Sequence, residues 1–315
     1  MSEEENKKET GLVTLSTVCM HPVYDKEKNI NKYLNYIKEA ASKNARLIAF
    51  PESSLQGYIW GPKYAAAFSS TPEALKYQHD NAEYVPGPTT DLMIEQAKEN
   101  NMYIVWGMTE KAAIGGGAVL YDTAVLVGPE GLQGAYRKVH IAGGEEYKVY
   151  SPGSEWPVFD TGIGKIGMLI CYDMMFPEPT RELALQGAEI LVMPTAWVID
   201  TGVDPNPDVE YLYPAYQTIR AAENQTIFIS ANCIGTDEKA GWHYYGHSSI
   251  VSPNGSVISS TGFKEGLATA DVNVKAMIQK GRVEDFGGLC LLRDRQPSTY
   301  KLSGDTSIYY PPYHY

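Results

Sequence analysis

The stretch Gly164-Lys165-Ile166-Gly167-Met168-Leu169-Ile170-Cys171-Tyr172-Asp173-Met174-Met175-Phe176-Pro177-Glu178 decides how this 315-residue chain is read. Lys165 to Ile170 is a short apolar run of strand type, and Pro177 suits the first turn of a helix, predicted over 178–187. A buried strand running into a helix is the repeating unit of an α/β fold. It also sets Cys171 at the carboxyl edge of a sheet beside a helix N-terminus, where free N–H groups and the helix dipole favour a thiolate. Taken alone, a cysteine after four apolar residues is ordinarily a small buried hydrophobe. Its chemical meaning depends on what the rest of the chain brings to the same edge.

Working outward, the alternation recurs on both sides. Upstream lie a strand at 11–18, a helix at 27–43 with Ile30, Tyr33, Leu34, Ile37 and Ala40 at helical spacing, and a strand at 46–50 ending at Pro51. An aromatic-rich loop follows, then a helix near 88–100, a buried strand at 103–108, and paired strands near 119–127 and 132–137 joined by Pro129-Glu130-Gly131. Downstream come a strand at 189–193, a helix at 209–223, a strand at 226–231 and a hairpin turning at Ser252-Pro253-Asn254-Gly255. The second half repeats the first, and no low-complexity linker separates them. The predicted architecture is one α/β domain over 11–295, a four-layer α-β-β-α sandwich with two mixed sheets and the helices outside. Residues 1–10 form an acidic, disordered N-terminus. Residues 296–315, with Tyr300, Tyr309, Tyr310, Tyr313 and Tyr315 beside Pro311 and Pro312, are a Tyr/Pro-rich C-terminal arm suited to docking on a neighbouring subunit.

Composition narrows the function. A formal charge of −12 and no basic stripe disfavour nucleic acid and anionic membrane as partners. The N-terminus has no apolar core and no window is long enough to span a bilayer, so a cytoplasmic protein is expected. Cys19, Cys171, Cys233 and Cys290 lie far apart without C-x-x-C spacing, which argues for free thiols and against a zinc ribbon. His243 and His247 form the one helical-type histidine pair, without an H-E-x-x-H pattern; no metal and no cofactor are expected.

Three segments place reactive groups at strand ends: Phe50-Pro51-Glu52, Tyr136-Arg137-Lys138-Val139-His140, and Cys171-Tyr172-Asp173-Met174-Met175-Phe176-Pro177-Glu178. A carboxylate just past a buried strand is poorly solvated and so drawn toward neutral-pH proton exchange. Each segment alone is weak, but the order and spacing of all three resemble the nitrilase superfamily of carbon-nitrogen hydrolases, from about residue 11 to 295. Arg181-Glu182-Leu183-Ala184, Arg220-Ala221-Ala222-Glu223-Asn224, Ser230-Ala231-Asn232 and Gly246-His247-Ser248 carry the resemblance further.

The resemblance implies an α-β-β-α sandwich and a Cys-Glu-Lys site mapping onto Cys171, Glu52 and Lys138. Glu52 would take the thiol proton and later serve the leaving amine and the attacking water, while Lys138 and the Tyr172 backbone N–H would hold the oxyanion. A second glutamate, common in the family, falls on Glu146, six residues before Pro152-Gly153, with Glu145 as the alternative. Tyr172, Trp197, Tyr58 and Met175 are the candidate substrate contacts. Glu178, Arg181, Arg220 and Glu223 read as helix-fixing residues and Cys233 as an inert core thiol. Nitrile-hydrolysing members typically follow the cysteine with Trp-Glu; Cys171-Tyr172-Asp173 points instead to amides. Met175 stands where many relatives carry arginine, which favours a small neutral linear amide or N-carbamoyl substrate over a dicarboxylate monoamide. A nitrilase, an ω-amidase and a catalytically silent scaffold are the alternatives within the superfamily, and the expected assembly is a homo-oligomer of at least two subunits. Gly162-Ile163-Gly164-Lys165-Ile166-Gly167 satisfies G-x-G-x-x-G, but it follows a loop and opens a strand, the wrong context for a nucleotide-dependent oxidoreductase.

Overall fold

A computed structural model of the chain describes residues 11–60, 71–200, 207–284 and 289–300. Two six-stranded sheets dominate. The first is built from β1 (Val13–Cys19), β2 (Ala45–Ala49), β3 (Tyr103–Ile114), β4 (Gly117–Gly128), β5 (Gly131–Arg137) and β15 (Gly266–Val272), in the order β15-β1-β2-β3-β4-β5. The second holds β6 (Val158–Thr161), β7 (Gly164–Met168), β8 (Ile190–Thr195), β10 (Ile227–Asn232), β13 (Ser249–Val251) and β14 (Val257–Ser260), in the order β14-β13-β10-β8-β7-β6. Both are mixed. A small third sheet, β11 (Ile234–Thr236), β12 (His243–Tyr245) and β9 (Val198–Asp200), borders the site.

Alternation along the strands builds the layers. In β2, Leu47 and Ala49 face the core between the two sheets, while Ile48 turns outward with Phe50 to meet the helices. Those helices are α1 (Lys26–Ser42), whose Asp25 side chain caps the N-terminus by accepting from Lys28 N–H, and α3 (Pro88–Asn100). Tyr33, Ile37 and Ala40 of α1 are completely buried, one helical face packed on the sheet. The shared core joins Leu15, Leu47 and Val105 of the first sheet to Ile166, Val192 and Ile229 of the second. Leu183 of α5 (Pro177–Leu185) and Ala221 of α6 (Pro207–Asn224) belong to the same cluster and cover the second sheet. The α-β-β-α sandwich with two mixed sheets is therefore observed.

The structure departs from the sequence reading in several places. The aromatic-rich loop after Glu52 contains α2 (Pro72–Asn81), which Thr71 caps by accepting from Ala74 N–H. β3 and β4 run twelve residues each, pairing with each other from Ile104–Val127 out to their turn at Gly115-Gly116. Gly143–Glu146 is one helical turn, α4. The chain past Cys171 first makes a 3-10 turn, Cys171–Met175, and α5 begins only at Pro177. The acidic N-terminus and the C-terminal arm beyond residue 300 lie outside the described residues. Among the described residues, no helix is long and apolar enough to cross a membrane.

Candidate active site

Glu52 lies three residues past β2 and Cys171 three past β7, so the two sheets present them at neighbouring carboxyl edges. The chain around Glu52 lies flat against β3, with Phe50 N–H donating to Val105 O and Gly107 N–H to Pro51 O. That approach requires Gly107, where a Cβ would stand 2.6 Å from Glu52 Cα. Gly153 plays the same part for Lys138: its N–H donates to Lys138 O, and a Cβ there would sit 2.2 Å from Arg137 O.

Cys171 occupies left-handed backbone at φ 46°, a conformation that costs about 1–3 kcal/mol for a residue with a Cβ. Asp173 offsets that cost. Its carboxylate accepts from Ile170 N–H (2.9 Å), Tyr136 OH (2.6 Å) and His140 N–H (3.0 Å), and lies 2.8 Å from His140 Nδ1. Tyr136 and His140 flank Lys138, so one buried carboxylate ties the cysteine turn to the lysine strand. Arg220 closes the turn from the other side, donating to Met174 O (2.9 Å) and Met175 O (3.1 Å) and pairing with Glu223 (2.8 Å).

The charged centre is fully buried. Lys138 Nζ donates to Glu52 Oε1 at 2.6 Å and to both oxygens of Glu146 at 3.0 Å. Glu52 Oε2 accepts from Ala196 N–H at 2.7 Å, across the sheet boundary. Glu146 is held by Ala142 N–H (2.7 Å) and by the Tyr58 hydroxyl. A third carboxylate, Asp122 of β4, comes within 3.5 Å of the ammonium. Oxygens of Glu52, Asp122 and Glu146 lie within 4.8 Å of one another, a spacing that could hold a metal ion, but the Lys138 ammonium fills that cation position.

Burial would pull the Lys138 ammonium down, yet the charges of Glu146 and Glu52 hold it well above the usual lysine range. Burial pushes the Cys171 thiol well up and the Glu52 charge adds to it; the Lys138 ammonium and the Thr195 hydroxyl, which has no other partner, act the other way. Burial and the neighbouring carboxylates both work against the thiolate expected from a helix N-terminus, since Cys171 is only 8% exposed and α5 begins only at Pro177. Such a sulfur reacts when a base removes its proton, and the neighbouring carboxylate is Glu52.

The family model described as carbon-nitrogen hydrolase matches residues 12–281. The chain belongs to the carbon-nitrogen hydrolase family. It is 34% identical over 267 residues to the omega-amidase NIT2-B of Xenopus laevis, covering 81% of this chain and 86% of that protein. It is 32% identical over 293 residues to a nitrilase of Pyrococcus abyssi, covering 92% of this chain and 99% of the relative. The crystal structure of a carbon-nitrogen hydrolase from Helicobacter pylori superposes with a TM-score of 0.76 at 23% identity, over 92% of this chain and 97% of that one. Like its family, the chain is a hydrolase acting on carbon-nitrogen bonds.

Within this carbon-nitrogen hydrolase the structure brings Cys171, Glu52, Lys138 and Glu146 together, with both Glu146 carboxylate oxygens 3.0 Å from Lys138 Nζ. The predicted substrate contacts fare unequally. Tyr58 is buried with its hydroxyl on Glu146, so it orients an acid. Trp197 is 8% exposed and packs on Tyr213, while its backbone N–H donates to Asn232 Oδ1. Tyr172 is half-buried edge-on to Phe176, and Met175 is half-buried against the core. Arg181, reaching Glu223 O, and Arg220 are structural as expected; Glu178 is exposed. Cys233 is buried beneath Glu52, its sulfur 3.9 Å from Glu52 O. The G-x-G-x-x-G run forms the β6–β7 turn and opens β7. Sequence reasoning missed Asp122, Ala196 and Gly107. A lone carboxylate inside the apolar strand Leu120–Val127 and a glycine inside a buried strand were usable signals; a backbone N–H leaves none.

Proposed function

We propose that this enzyme hydrolyses small, neutral, linear amides or N-carbamoyl compounds through a thioester on Cys171. Glu52 takes the thiol proton as sulfur bonds to the carbonyl carbon, and the carbonyl electron pair moves to oxygen, held by Lys138 and the Tyr172 N–H. The intermediate collapses, the C–N bond breaks, and Glu52 returns its proton to nitrogen, releasing ammonia or an amine. Glu52 then deprotonates water, which attacks the thioester; the carbon-sulfur bond breaks and the acid leaves with the thiol restored. The observation that carries this reading is the buried Glu52–Lys138–Glu146 cluster acting on the Cys171 sulfur.

Preference for a neutral substrate rests on the cations. Among the described residues around the site, Lys138 is engaged by Glu52 and Glu146, Arg220 by two carbonyls and Glu223, and His140 sits on Asp173 between Phe176 and Trp156. A substrate carboxylate would find no uncommitted charge there. The second reading, a dicarboxylate monoamide, is favoured by the relative named omega-amidase.

The test is ammonia release from neutral amides, ω-amidated acids, N-carbamoyl amines and nitriles, with Cys171→Ala alongside. Neutral amides are expected to turn over and the variant to lose at least about a thousandfold. Turnover undiminished in the variant rules out the mechanism, nitrile-only turnover rules out the amide branch, and far faster turnover of ω-amidated acids rules out the neutral preference. A cytoplasmic location is supported by four buried, unpaired cysteines. A homo-oligomer is supported by exposed Leu185, Ile219, Leu289 and Leu291 on the outer surface, and light scattering after size exclusion measures it.

A further inference from the structure

Asp122 is the one acid of the centre whose hydrogen bonding is incomplete. Its side chain is completely buried in β4, opposite Thr109 of β3, and its backbone carbonyl accepts from Lys138 N–H. Oδ1 has a single long contact, from Ser53 Oγ at 3.4 Å. Oδ2 is buried and accepts no hydrogen bond, standing 3.5 Å from a lysine ammonium already directed at Glu52 and Glu146. An ionised carboxylate in that position would lack donors on one oxygen inside a dry pocket. Three ionised carboxylates against one ammonium would also leave two uncompensated negative charges. A neutral acid removes the first problem and halves the second, because protonated Oδ2 becomes a donor, the adjacent acceptor is the Glu52 carboxylate, and one negative charge is lost.

We propose that Asp122 is a positioning residue that remains a neutral carboxylic acid and donates its hydrogen bond to Glu52, leaving Glu52 as the carboxylate that receives the Cys171 proton. The groups facing Asp122 agree with this. Glu52 and Glu146 are the neighbouring carboxyl groups, Lys138 is the shared cation, and Tyr150, from the segment past α4, is a phenol whose hydroxyl burial pushes far up. Burial first, then the Glu52 charge, drives the Asp122 carboxyl well above the usual aspartate range.

The inference rests on the proposed thiol mechanism, so its test needs a readout that does not depend on the substrate. Alkylation of Cys171 by iodoacetamide, followed by mass spectrometry across pH, is measured beside amide turnover for Asp122→Asn and Asp122→Leu. Asparagine keeps the shape and a donor but cannot ionise. It is expected to stay within about threefold of the parent in both assays, with kcat and KM each little changed. Leucine removes the donor and is expected to lower kcat about tenfold or more with a smaller change in KM, and to move the acid limb of both pH profiles upward. If asparagine loses as much as leucine, Asp122 works as an ionised group and the proposal fails. An unmoved acid limb in a folded leucine variant also overturns it. If leucine does not fold, the asparagine result decides alone. Failure of the amide panel with an intact alkylation pattern would count against the substrate reading and leave the alkylation data to decide on Asp122.

Discussion

Laid over one another, the two halves of the molecule share a plan. From β15 the first sheet pairs antiparallel, parallel, parallel, antiparallel, antiparallel; from β6 the second repeats that sequence of pairings. The scaffold is duplicated and the chemistry is not. The first half supplies Glu52, Asp122, Lys138 and Glu146, every carboxyl group and the ammonium of the centre. The second supplies Cys171, Thr195 and the Ala196 N–H. Where the first half sets Glu52 past β2, the second sets Ala196 past the corresponding β8, and the two meet in one hydrogen bond. Duplication thus provides two equivalent sheet edges that face each other, and specialisation fills one with charge and the other with a nucleophile and neutral donors.

The division can be tested from the charged side first. Lys138→Met would leave buried carboxylates without their cation and is expected to cost about 3–5 kcal/mol, read as a lower denaturant midpoint, with turnover lost. A midpoint equal to that of Cys171→Ala would mean the first half does not depend on its ammonium. Gly107→Ala should displace the Glu52 backbone, lowering kcat about ten- to a hundredfold while thermal stability drops modestly. Unchanged kcat would show that Glu52 does not need its close seat on β3.

A pH experiment sharpens the comparison further. With its carboxyl held well up by burial, Asp122 keeps its proton in the folded state where the unfolded chain has released it. The unfolded state then binds fewer protons, so this group's contribution to stability falls as pH rises past the ordinary aspartate range. The stability of the parent relative to Asp122→Asn should decline between about pH 4 and 6 by up to about 1.4 kcal/mol per pH unit. A flat difference would contradict the shift.

The smallest effect concerns a contact between the halves, where Lys239 of the second lies 3.6 Å from the Trp60 ring centroid and 4.4 Å from that of Tyr24 in the first. Lys239→Met should lower stability by about 0.5–1 kcal/mol, read as a lower denaturant midpoint. An unchanged midpoint would show that this contact does not help hold the two halves together.

How much of this was legible in the sequence follows from the kind of signal each part carries. The buried strands announce themselves as apolar runs, and Cys171, Glu52, Lys138 and Glu146 stand in motifs whose order is distinctive. α2 was hidden because its faces are mostly polar, although Thr71-Pro72-Glu73 spells an N-terminus. Asp122 was overlooked because a lone charge in a strand is usually solvated, and only the fold shows this one walled in. The state of the sulfur was misjudged because it depends on three-dimensional crowding of charge, which spacing along the chain does not encode.

The Ala196 hydrogen bond to Glu52 has a consequence for how the molecule comes to life. Synthesis runs from the N-terminus, so the acids and the ammonium emerge first, the thiol next, and the amide that fixes the base only with β8. β1, beside the Glu52 strand, gains its outer neighbour later still, when β15 arrives near the end. Until then a nascent chain carries the nucleophile without a finished apparatus to arm it. Turnover is therefore a stringent reporter of completed folding, and a chain truncated before Gly266 should be silent even with every catalytic side chain present.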